Sequence, residues 1–152
     1  FLGRLVLVYT GITRLASSVD EKKVKDIKKE VSIVSEMQDM VNEAKIASQK
    51  LSEEGINACV VDMHTIKPLD GDLIDKLAKQ CGCIVTVEDH SIIGGLGGGV
   101  AEHLSRNIPT PLEMVGVNDR FGESGDTSDL MSHLNIDYNA IVSASHAAIK
   151  RK

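Results

Sequence analysis

A chain of 152 residues, 42% of them apolar, suits one domain with one core. A net charge of −5, an isoelectric point near 5.5 and only two Tyr and two Phe argue against a protein that wraps phosphate backbones or stacks on bases. Three cysteines, an odd number, make no disulfide framework, and neither a secretory leader nor the roughly 20-residue apolar run that crosses a bilayer is evident, so a reducing cytoplasm is the expected location.

Phe1 to Ile12 is apolar but short, and it carries Arg4 without a basic leader, which fits a strand or a linker. Ser17 to Glu30, with its run EKKVKDIKKE, is dense in mixed charge and reads as a solvated linker or an exposed short helix rather than a basic contact patch. Residues 1–30 are therefore taken as an extension ahead of a domain at 31–152. Within that domain VSIVS (Val31 to Ser35), ACVVDM (Ala58 to Met63), CIVTVE (Cys83 to Glu88) and LEMVGV (Leu112 to Val117) are short, nearly continuous apolar runs, as strands buried on both faces of a parallel sheet require. Between them, Met40, Ala44, Ala47 and Leu51 fall at helical spacing, as do Leu73, Ile74, Leu77 and Ala78. Gly55 and Gly82 sit just past these stripes and suit helix exits. The alternation predicts an α/β protein: a three-layer α/β/α sandwich with a mostly parallel sheet of about five strands and helices on both faces.

The last helix has its own start signals. Asp137 can cap the next turn, Ile136 and Ile141 have the spacing of a hydrophobic staple, and Lys150, Arg151 and Lys152 sit where a helix dipole favours positive charge. The chain is expected to end as a docked helix with a frayed tip.

The run IVTVEDHSIIGGLGGG (Ile84 to Gly99) carries a buried strand into three polar residues and then a glycine-rich turn that opens a helix. In an open α/β sheet the loops leaving the carboxyl ends of parallel strands share one edge, where ligands or partners meet the fold. Three segments fall at such ends: His64 to Pro68, Glu88 to Gly98 and Asn118 to Gly125. They predict that His64, His90, Asp119, Arg120 and Glu123 lie on one face, with Glu88, Gly94, Gly95, Gly97 and Gly98 as further interface or anion-contact candidates. His90 suits either an interface histidine or a proton shuttle. Asp89, His90 and Ser91 contain the residue types of a nucleophilic triad, but consecutive residues cannot place their side chains in a relay. Arg120 can organise its loop, pair with a carboxylate or contact a sugar phosphate.

The glycine turn could expose amides to an anion at the helix start, or it could serve close packing. The dinucleotide pattern fails, because the third glycine position falls on Val100 or Glu102, and no GK[ST] follows. Cys81 and Cys83 lack the second pair that a zinc site needs, and no metal site is assigned; buried apolar cysteines are the expected role. No catalytic residue is assigned either.

DMHTIKPLD (Asp62 to Asp70), IVTVEDHSIIGGLGGGVAE (Ile84 to Glu102) and PLEMVGVNDRFGESG (Pro111 to Gly125) together resemble the C-terminal domain of transketolase, in that family's order and at about its spacing, over roughly Val31 to the end. The resemblance implies part of a thiamine-diphosphate transferase of the pentose phosphate pathway that moves a two-carbon ketol unit between sugar phosphates. It implies that thiamine diphosphate and Mg are held by other domains or a separate subunit, that the complete assembly is a homodimer, and that this part supports the assembly without catalysis of its own. Leu2-Gly3-Arg4 resembles the exit from a preceding pyrimidine-binding domain. The chain departs from the family at Cys81-Gly82, where Thr-Gly is usual, and at Ser35 to Asp39, where a small Ala-Thr-Gly turn is usual and this chain is one residue longer. Deoxyxylulose-phosphate synthase and the β subunit of 2-oxoacid dehydrogenases have the same domain, while IGGLGGG and DRFGESG favour transketolase. A small-anion-binding regulatory module and a docking module for a larger complex are the competing readings.

Overall fold

The structure, a computed structural model, describes Arg4–Tyr9 and residues 27–152, with side chains from Met40 onward. Residues 1–3 and 10–26, and with them most of the readings on Leu2-Gly3-Arg4 and on the charged run, lie outside the described residues. β1 (Arg4–Tyr9), β2 (Asn57–Asp62), β3 (Ile84–Ser91) and β4 (Leu112–Val117) form one parallel sheet in the order β2-β1-β3-β4. The helices are α1 (Ile27–Glu53), α2 (Gly71–Cys81), α3 (Leu96–Asn107), α4 (Thr127–His133) and α5 (Tyr138–Lys150). No described helix is long and apolar enough to cross a membrane.

The three layers and the parallel sheet are as expected, but among the described residues the sheet has four strands rather than about five. The strand expected at Val31 to Ser35 is instead part of α1. A strand feeding a helix needs a turn between them, and Ser35 to Asp39 supplies no glycine for one. With no Gly or Pro anywhere from Ile27 to Glu53, nothing interrupts the helix. The place between β2 and β3 is taken by β1, RLVLVY, whose Val8 stands opposite Val61 on one side and Thr86 on the other.

Two clusters of buried side chains sandwich the sheet. On one face Met40, Ala44, Ala47 and Leu51 of α1 meet Met131 of α4, Ile141 and Ala148 of α5, Cys83 just ahead of β3, and Val85 and Val87 within it. On the other, Ile74, Leu77 and Ala78 of α2 meet Leu96, Val100 and Leu104 of α3 and Ile84. β3 thus divides its side chains by the period of two, odd positions toward α1 and α5, even positions toward α2 and α3. That alternation sends Glu88 to the α3 side.

The termini of the helices follow their sequence signals. Asp137 Oδ1 accepts from Ala140 N at 3.0 Å and Glu43 of α1 accepts from Tyr138 N, while Ile136 and Ile141 are both buried. Gly82 closes α2 in the left-handed region at φ 74°, its N–H donating to Ala78 O. The expected frayed tip is instead fastened down: Arg151 donates to Leu112 O at 3.0 Å and to the Glu113 carboxylate, and Lys152 Nζ donates to Cys81 O at 2.6 Å. Long cationic side chains reach these carbonyls because α5 ends beside the starts of β3 and β4.

Two consequences are measurable. Thr86 is fully buried with a hydroxyl that has no hydrogen-bond partner among the described residues. Thr86→Val keeps the shape and removes the unmet polar group, so it should raise stability by about 1 kcal/mol in urea unfolding; a loss of that size would show the hydroxyl to be satisfied. Cys81 and Cys83 are buried and Cys59 is exposed. Burial pushes the Cys83 thiol above its ordinary value, against an opposing pull from Lys152 and with a further push from Cys81. Iodoacetamide on the native protein at neutral pH should therefore label Cys59 alone, as read by peptide mass spectrometry. Because the unfolded chain releases the Cys83 proton first as pH climbs past the ordinary thiol range, this group makes stability fall with rising pH.

Candidate functional site at the carboxyl edge of the sheet

With all strands parallel, the segments after β2, β3 and β4 do leave the same edge. The strand order decides which of them meet. β2 and β4 are the two outer strands, so the segment with exposed His64 leaves the sheet three strand spacings, about 14 Å, from the strand that the β4 loop follows. The segments after β3 and β4 are neighbours, and Asp89 lines a common cleft with Phe121 and Glu123.

The polar residues at the end of β3 sit on an irregularity. Pairing with β4 passes from Val87 opposite Val115 to Ser91 opposite Val117, four steps on one strand against two on the other. Such bulges re-aim side chains at the ends of strands. Here Glu88 turns inward and is 1% exposed, while Asp89 and His90 turn out to solvent. His90 Nδ1 lies 3.0 Å from Ser91 O, and Ser91 Oγ accepts from Ile93 N at 3.2 Å. The DHS sequence therefore folds on itself locally and forms no relay between its side chains.

Glu88 controls the glycine turn. Its Oε2 accepts from Leu96 N at 2.8 Å and its Oε1 from Gly97 N at 2.9 Å, so the chain's own carboxylate fills the start of α3. Gly94 turns the chain at φ 78°, a conformation that L side chains rarely adopt. Gly95 and Gly97 are needed for space: a methyl at Gly95 would overlap the Glu88 carboxylate, and one at Gly97 would come within 2.7 Å of Met114 Sδ and 2.9 Å of Thr86 Oγ1. Gly98 is nearly unobstructed, its nearest neighbour being Ile92 O at 4.0 Å. Of the four glycine candidates, two thus serve close packing, one the turn itself, and the two amides best placed for an anion are taken. Among the described residues no three His, Cys, Asp or Glu side chains gather as metal ligands.

The loop after β4 carries its own network. Asp119 holds φ at 31°, uncommon outside glycine, and next to it Arg120 pairs with Glu123 Oε1. Glu123 Oε2 lies 3.0 Å from His133 Nε2 on α4, and that nitrogen is 3.1 Å from Arg120 Nη2. The imidazole donates to Glu123 when Nε2 bears the proton and accepts from Arg120 when it does not. His133 was missed in the sequence because no spacing ties it to Glu123; α4 has to fold back on the loop first. Equally unannounced are two large apolar residues on this edge, Ile93 at 66% and Phe121 at 96% exposure.

Comparison with known proteins matches this geometry to one family. Residues 20–141 match the family described as Transketolase, C-terminal domain. The chain is 43% identical over 113 residues to the 6-deoxy-6-sulfo-D-fructose transketolase subunit SqwH of Clostridium sp. (strain MSTE9), covering 74% of this chain and 35% of that protein. It is 42% identical over 113 residues, with the same coverage of 74% and 35%, to a putative transketolase C-terminal section of Methanocaldococcus jannaschii. It is 44% identical over 99 residues, 64% of this chain and 16% of the relative, to 1-deoxy-D-xylulose-5-phosphate synthase of Chlorobium luteolum. Among solved structures, a split gene transketolase described as an inactive beta4 tetramer aligns with 98% of this chain and 40% of its own, at a TM-score of 0.74 and 33% identity. The chain thus spans about a third or less of the curated relatives named here. With the family model matched over most of its length and a similar fold in a solved relative, this chain belongs to the transketolase C-terminal domain family.

Proposed function

We propose that the chain is the assembly-supporting C-terminal part of a thiamine-diphosphate-dependent transketolase, an enzyme that transfers a two-carbon ketol unit between sugar phosphates, as in the pentose phosphate pathway. The observation that carries this reading is the pairing of a filled helix start with an apolar edge. Glu88 occupies the amides that could have cradled a phosphate, while Ile93 and Phe121 stand exposed on the same edge of the sheet. This helix start therefore does not fit a diphosphate, and in this reading thiamine diphosphate and Mg are held by other domains or a separate subunit. Exposed apolar residues on a working edge fit a surface that is covered in an assembly. In this reading His64, His90, Asp119, Arg120 and Glu123 serve that interface, and the complete enzyme is a homodimer in the cytoplasm. The named relatives described as subunits or as a C-terminal section support it.

The equivalent part of 1-deoxy-D-xylulose-5-phosphate synthase is the second reading, favoured by the identity to the Chlorobium luteolum enzyme. Co-expression with the amino-terminal transketolase subunit of the same genome decides the matter. The expected result is a stable complex by size exclusion and light scattering that binds thiamine diphosphate and turns over ketose phosphates, whereas the chain alone does neither. Saturable one-to-one cofactor binding or turnover by the chain alone would overturn it; formation of 1-deoxy-D-xylulose-5-phosphate by the complex would select the second reading. Inorganic phosphate should leave the melting temperature of the chain unchanged, because Arg120 is already paired with Glu123. Phosphate stabilisation that disappears in Arg120→Ala would instead favour a small-anion-binding regulatory module.

A further inference from the structure

The cleft between the loop after β4 and α4 holds about 360 Å³ and is built with two unlike ends. Its floor is apolar, with Met40, Met131 and Ile136 at 5%, 8% and 2% exposure. Its rim carries Asp89, Glu123 and the exposed ring of Phe121. Glu123 is engaged by Arg120 and His133, but Asp89 is exposed and has no hydrogen-bond or ion-pair partner among the described residues. The surrounding loop adds to the negative field, since Asp119, Glu123, Asp126 and Asp129 stand against the single cation Arg120. The volume lies at the low end of the roughly 300–1,000 Å³ range of ligand pockets, room for one long side chain.

An apolar shaft that opens on an unpaired carboxylate beside an aromatic face complements an arginine. Its methylenes would lie along Met40 and Met131, and its guanidinium can make two parallel hydrogen bonds to Asp89 while lying against the Phe121 ring. A lysine would fill the shaft but forgo the paired bonds and the planar stacking. We infer that this cleft is the socket for one arginine side chain of the subunit or domain that completes the assembly. The source of that arginine rests on the reading under Proposed function; the chemistry of the socket does not.

The full chain, labelled at its methionine methyl groups, is titrated by NMR with n-propylguanidinium, n-propylammonium and n-propanol in turn. Only five methionines contribute signals. The expected result is saturable movement of the Met40 and Met131 signals with propylguanidinium, about fivefold tighter than with propylammonium. Asp89→Asn should weaken the guanidinium about tenfold and leave propanol binding unchanged. Asp89 is exposed, so the variant should melt with the wild type. Absence of saturation, equal response to propanol, tighter binding of the ammonium, or indifference to Asp89→Asn would each overturn the socket. The probes need no partner, so a failure here leaves the assembly reading standing, and a failure of assembly leaves the socket measured on its own.

Discussion

Glu88→Ala should lower stability by about 3 kcal/mol, the cost of leaving two buried amides without acceptors and emptying the space the side chain fills. In a chain of this size that is a fall in melting temperature of roughly 6–12 °C. The argument rests on geometry: the side chain is 1% exposed, and its two oxygens accept from Leu96 N and Gly97 N at 2.8 and 2.9 Å. Glu88→Gln retains one acceptor oxygen and presents an amide N–H₂ where the other was, so about half the loss should remain. Calorimetric melting of both variants checks the order. A Glu88→Ala protein within about 0.5 kcal/mol of the wild type would mean that the start of α3 is held by something else.

Gly95→Ala should cost about 2–4 kcal/mol, because its methyl would overlap the Glu88 carboxylate and approach Ser91 O to 2.9 Å. Most of that penalty comes through Glu88. In the Glu88→Ala background the carboxylate is gone and only Ser91 O crowds the methyl, so the added cost should shrink by at least about 1 kcal/mol. Urea unfolding of the two single variants and the double variant closes the cycle. Additivity within about 0.5 kcal/mol would show that the glycine and the carboxylate do not act as a unit.

These two residues mark how far the sequence could be read. IVTVEDHSIIGGLGGG announced a strand, a polar end and a glycine turn into a helix, and the structure has all three. What it could not announce is the role of Glu88. A period of two counted from Val87 sends Glu88 to the α3 side, but only the arrival of α3 there turns that carboxylate from a solvent-facing candidate into an internal cap. The glycines divided for the same reason: Gly95 and Gly97 answer to side chains 7 to 17 positions away in the chain, and Gly94 answers to its own backbone.

The first strand shows a different limit. VSIVS is as apolar and β-branched as the strands that did form, yet it lies in α1. Local composition did not discriminate, whereas the missing turn glycine at Ser35 to Asp39 did, and RLVLVY took the sheet position instead. Short apolar runs are ambiguous until the turn chemistry around them is counted.

Sequence by itself determined the layer architecture, the parallel sheet, the helix stripes and the family, because each depends on periodicity or on long local motifs that need no partner to be recognised. Tertiary structure alone decided which candidates meet. His64 shares an edge with Arg120 and Glu123 but stands across the sheet from them, since the order β2-β1-β3-β4 puts their strands at opposite margins. His133 and Asp89 join the site only because α4 and the bulged end of β3 are folded against one loop. Contacts between side chains far apart in the chain are set by the packing of whole elements, and no spacing along the sequence encodes them.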